Sequence, residues 1–224
     1  RESKVSVDLR EAWEAHKMIG PVVAADIIRL VKQRNTIARE TGFSNYHQMS
    51  LMLSGQDPGE VTRLFDELDN LTRETFAMLK KEIDTYYTKR YKTDVSGLRP
   101  WHYQNRFFQE APEIYPVDFD RYYRDQDPVR LAAAFYDGIG LNVDAVLAKS
   151  DLYEKPGKNQ HAFCTDIDRA GDVRTLCNIK PDSYWMNTIM HELGHGVYSY
   201  YNDRSLPFVL RDAAHTFTTE AIAN

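Results

Sequence analysis

From Asp57-Pro58 the sequence runs for some thirty residues in which Val61, Leu64, Phe65, Leu68, Leu71, Phe76 and Leu79 recur on one side. That spacing is helical, and Asp-Pro is a helix-starting pair, because proline's missing N–H costs nothing in a first turn. Similar signals surround this helix. Residues 6–19 have a Ser/Asp start and apolar residues at helical spacing, and Gly20-Pro21 is expected to break or kink the run. Val23, Ile27, Leu30, Val31 and Ile37 then form a second stripe, and Ser44 is placed to cap residues 45–55. Asp127-Pro128 opens a further helix, ended by Gly138 and Gly140. The expected fold class is mainly α, and these helices read as amphipathic packing that names no chemistry.

With 224 residues, 42% of them hydrophobic, the chain can bury a core as one large domain or two small ones. A Pro-, aromatic- and charge-rich stretch over 94–130 marks a change of subdomain. The expected division is a helical, lid-like subdomain over 1–100 and a second subdomain over 101–224. A net charge of −5 argues against a nucleic-acid partner. No run of 18 apolar residues exists, so no membrane span is expected. The first residue is Arg1, which leaves open whether a leader was removed. Two cysteines are too few for a disulfide scaffold, and compartment stays open, with the cytoplasm slightly favoured over a secreted or periplasmic setting.

One segment reads as β. Residues 161–179 carry a turn signal at Ala170-Gly171 between two runs of β-type residues. A two-residue turn would place Cys164 directly opposite Cys177, as two adjacent thiols or a disulfide; a register slip would undo that pairing.

The chemistry lies near the end of the chain. Lys180-Pro181-Asp182 is expected to start a helix whose buried stripe is Met186, Met190, Leu193 and Val197. His191 and His195, one turn apart, share another face and can reach one metal ion without bending the helix. Glu192 is rotated by about 100° from His191, beside rather than among the ligands. The same five-residue pattern also occurs in helices that bind nothing. Two neighbours favour the metal. Gly194 costs about 1 kcal/mol of helix propensity relative to Ala, which makes sense if something approaches the helix closely. Glu220, on a helix expected from about Asp212, supplies the third ligand that catalytic Zn²⁺ usually takes. His215 is five residues before Glu220, so a straight helix points it about 140° away.

Four stretches, "KSDLYEKPG", "HAFCTDID", "HELGHGVYSYYNDRSLPFVLRDAA" and "EAIAN", occur in that order. Together they resemble the angiotensin-converting enzyme family and, more loosely, the thimet-type oligopeptidases. The resemblance covers about the last 85 residues; the first 135 are similar only in their helical character. It implies a zincin-like helical oligopeptidase with a small β-hairpin and edge strand near the metal site. It also implies that His191, His195 and Glu220 hold Zn²⁺ and that Glu192 is the general base. The segment His161, Phe163 and Cys164 would then bind the backbone of a short peptide substrate, in keeping with a strand edge as a template for an extended chain. Asn224 stands where the family usually has Asp, in contact with a zinc-bound histidine. The resemblance further implies that this is the front part of a longer enzyme, whose remainder completes the active site. The rival reading is a non-catalytic helical relative that binds peptide or protein without hydrolysis; retention of Glu192 counts against it.

Overall fold

The computed structural model describes every residue except 1, 2, 104, 106, 109 and 110. It is mainly helical and falls into two compact units, Arg1–Pro116 and Val117–Asn224. The division comes later than residue 100 because Trp101 and Tyr103 still pack on the first unit's helices, Trp101 against Trp13 and Tyr103 against Tyr87.

The first unit holds α1 (Ser6–Lys17), α2 (Ile19–Glu40), α3 (Tyr46–Leu53) and α4 (Pro58–Tyr91). The break between α1 and α2 falls at Met18, so Pro21 sits inside the first turn of α2, where its missing N–H is harmless. Asn45, not Ser44, caps α3, accepting the Gln48 N–H, while Ser44 binds the Gln48 side chain. Asp57 caps α4 through the Glu60 N–H, as its sequence suggests. The expected stripes are present as helix faces but not as core. Val23, Ile27, Leu30, Val31 and Ile37 on α2 stay exposed, as do Leu64, Phe65, Leu68, Leu71, Phe76 and Leu79 on α4. The core of this unit is instead a small cluster of Ile83, Tyr87 and Leu98 with tyrosines packed around it. Tyr87 stacks on Tyr91, and the buried His102 stacks on Tyr91 at 4.5 Å.

The second unit holds α5 (Pro128–Gly138), α6 (Asp144–Leu147), β1 (Phe163–Asp166), β2 (Val173–Leu176), α7 (Ser183–Tyr200) and α8 (Thr216–Ala223). Its core joins Ala132 and Tyr136 of α5, Val146 of α6, Val173 of β2 and Trp185, Ile189, Leu193 and Val197 of α7. The buried line of α7 thus runs through Trp185 and Ile189 before reaching Leu193. Met186 and Met190 are only half-buried at its side. Asp182 lies outside α7 as its cap, accepting the Trp185 N–H at 2.7 Å. Asp120 holds Ser183 by both its N–H and its hydroxyl, so the start of α7 is tethered twice.

β1 and β2 pair antiparallel, but the turn is longer than two residues. Ile167 N–H closes on the Asp172 carbonyl, and Asp168 Oδ1 accepts the N–H groups of Ala170 and Asp172. Arg169 and Gly171 take positive φ within that loop. The turn is centred on Arg169-Ala170, one residue earlier than Ala170-Gly171, so the register is slipped by two: Cys164 faces Thr175, and both cysteines are free thiols. A slip of two leaves every side chain on its expected face, because strand periodicity is two. The far edge of β2 is covered by Asp151, whose N–H donates to Thr175 and whose carbonyl accepts from Cys177. No strand pairs with the outer edge of β1 among the described residues. No described helix is long and apolar enough to cross a membrane.

Candidate metal centre

Because α7 runs unbroken through residues 191–195, its two histidines, one turn apart, share a face. Their Nε2 atoms lie 3.1 Å apart. α8 supplies the third group: Glu220 Oε2 is 3.6 Å from His191 Nε2, and Oε1 is 3.8 Å from His195 Nε2. Among the described residues these three are the group whose ligand atoms converge, all within 4.8 Å of one another. Two ligands about 2.0–2.1 Å from one tetrahedral ion lie about 3.3 Å apart, so the triangle is close to the size that Zn²⁺ requires. Two imidazoles and a carboxylate are also a donor set that suits this ion.

The approach of α8 depends on Gly194. A Cβ there would stand 2.5 Å from Ala223 Cα and 3.2 Å from the Ile222 carbonyl oxygen. Only a residue without a side chain lets the helix bearing Glu220 come this close, as the cost of Gly within the helix suggests. Gly196 is different: its Cβ would meet Val146 and Cys164 at ordinary contact distances.

Glu192 is 8% exposed, buried beneath β1 yet lining the same cleft as the histidines. Burial pushes its carboxyl pKa up; the charge of His191 opposes this, that of Glu220 adds to it, and the Cys164 backbone N–H lowers it. That N–H is turned outward because Ile167 and Asp172 form a hydrogen-bonded pair, and alternation leaves Cys164 on the free edge of β1. Burial holds the His195 pKa below the usual histidine value, helped by His191 and opposed by Glu220. A neutral imidazole is the form that coordinates metal.

The remaining expected residues divide. Phe163 and Cys164 line the cleft together with Ala162, Thr165 and Asp166. His161 is exposed, lies two residues before β1 and is not among the lining residues. Asn224 turns back on its own helix and donates its amide to the Glu220 carbonyl at 2.9 Å. The helix of Glu220 begins at Thr216 rather than near Asp212, so His215 is its N-cap position, with Nδ1 3.3 Å from the Thr218 hydroxyl.

Sequence reasoning missed the other wall. Arg169, Ser199, Arg211, Asp212 and Thr219 complete the cleft. Ser199 was findable, since it lies one turn beyond His195 on the same face. Thr219 sits beside Glu220 on α8, while Arg169, Arg211 and Asp212 come from two loops that no periodicity connects. Arg204, on the loop after α7, ties β1 to the end of that helix, donating to the carbonyls of Ser199 and Tyr200 and lying 3.4 Å from Asp166. A cation at a helix C-terminus satisfies orphan carbonyls and complements the dipole. Compared with known proteins, the chain matches no family model and no curated relative.

Proposed function

We propose that this protein is a zinc-dependent peptidase that hydrolyses short peptides. The observation that carries the reading is the convergence of His191, His195 and Glu220 beside a buried Glu192, in a cleft walled by an unpaired strand edge. The order and spacing of the four motifs that resemble the angiotensin-converting enzyme family support the same reading.

His191, His195 and Glu220 would hold the ion. When bound, zinc supplies a Lewis acid that polarises a carbonyl and acidifies water. The edge of β1 orients an extended peptide through backbone hydrogen bonds, leaving its side chains free to differ. Glu192 takes a proton from the attacking water as the water oxygen bonds to the scissile carbonyl carbon. The same carboxyl then gives that proton to the amide nitrogen as the C–N bond breaks, releasing a carboxylic acid and an amine. Burial shifts the Glu192 pKa upward, which makes the carboxylate a better proton acceptor than an exposed one.

The test is metal analysis together with hydrolysis of quenched-fluorescent peptides. Glu192→Gln should keep zinc and lose about 10²–10⁴-fold in turnover. Wild-type turnover by that variant, or failure of the unaltered protein to bind zinc near one equivalent, would overturn the reading.

A further inference from the structure

The end of the cleft beyond Ser199 is built from residues for which the proposed hydrolysis has no use. Arg169 sits at φ 52, a left-handed conformation that a non-glycine residue adopts only when its surroundings hold it there. The loop around it pins that conformation through the Asp168 carboxylate and the Ile167–Asp172 closure. Its guanidinium lies over the Phe208 ring, 5.2 Å from the centroid, and donates from Nη2 to Asp212 Oδ2 at 2.7 Å. Asp212 is itself fixed, since its other oxygen accepts the Ala213 N–H. An aromatic shelf below and a carboxylate on one side therefore set the plane of the guanidinium.

Asp212 engages one of the five donors that an arginine carries in its planar fork. The Arg169 side chain remains 38% exposed and lines the cleft, so a second edge of the fork is open to a ligand there. The neighbouring acid is already committed, because Asp166 faces Arg204.

We propose that Arg169 is a specificity residue that receives a carboxylate side chain, Asp or Glu, within the cleft to one side of the scissile bond. The term scissile bond rests on the peptidase reading; the anion subsite itself rests on the clamped guanidinium. The ligand class is an acidic peptide, bound through a two-pronged charge-assisted contact that a glutamine cannot reproduce.

The experiment is fluorescence anisotropy on extended peptides in which a single Glu or Gln is walked along an otherwise neutral sequence, with and without added zinc. One Glu position should bind about tenfold tighter than its Gln counterpart, and added salt should shrink that preference. Arg169→Gln should bind both peptides alike. Arg169→Gly should do the same while relaxing the backbone at positive φ, which guards against a loss caused by misfolding. Equal affinities at every position, survival of the Glu preference in both variants, or no binding of any peptide each overturns the subsite. Hydrolysis is read separately. A Glu-preferring protein that never hydrolyses keeps the subsite and sinks the peptidase reading; hydrolysis with no Glu preference does the reverse.

Discussion

Substitution of Gly194 by alanine tests how α7 and α8 build the centre. The new Cβ would lie 2.5 Å from Ala223 Cα and 3.2 Å from both Ala223 Cβ and the Ile222 oxygen. Carbon atoms in contact prefer about 3.5–4.0 Å, so α8 has to retreat by about 1 Å. Overpacking of this kind costs about 1–3 kcal/mol, while replacing Gly by Ala inside a helix returns about 1 kcal/mol. The net loss of stability should therefore be small, about 0–2 kcal/mol. The effect on the metal should be larger. Glu220 is three residues from Ala223 on the same short helix and moves with it, whereas ligand distances tolerate only about 0.2 Å. Zinc affinity, measured by competition with a chromophoric chelator, should fall about 10–100-fold, the range seen when the groups that orient ligands are lost. Gly196→Ala is the control: with only ordinary contacts at 3.6 Å and beyond, it should leave affinity unchanged. Unaltered zinc affinity in a folded Gly194→Ala protein would refute the idea that close helix approach positions Glu220.

Three further outcomes are expected. Glu220→Ala should strip zinc and His215→Ala should not, because only Glu220 reaches the two histidines; metal content of the two purified variants decides it. Lys158→Met should destabilise the second unit by about 2–4 kcal/mol in denaturant titration, since that 2%-exposed ammonium serves the carbonyls of Asp151 and Tyr153 as well as the Asp151 carboxylate. A fully wild-type unfolding midpoint would show those contacts to be dispensable. Burial raises the thiol pKa of Cys164 to about 11 and of Cys177 to about 12, so both stay protonated at pH 8. Iodoacetamide should label them slowly in the native protein and quickly once it is unfolded; rapid native labelling of either would contradict this.

What the sequence could settle alone was local. The i, i+4 pairing of His191 and His195 needs only helical periodicity, and the caps at Asp57 and Asp127 need only the next turn. Glu220 could be named as a candidate, and Gly194 as a site of close approach, yet their meeting is a property of two helices packed together. The hairpin was legible as a hairpin, but its register was not. The four-residue turn settled one position earlier, over 168–171, where Asp168 satisfies two backbone N–H groups and Arg169 is held at positive φ, energies invisible to alternation of polar and apolar residues. The stripes on α2 and α4 show the opposite limit. Periodicity states which face a helix offers, not whether anything covers it, and those faces stay exposed. Tertiary structure alone brought Arg169 to Phe208 and Asp212, because it sits about forty residues before them on a separate loop without period, and only the folded hairpin and the segment before α8 set their charges and ring in reach.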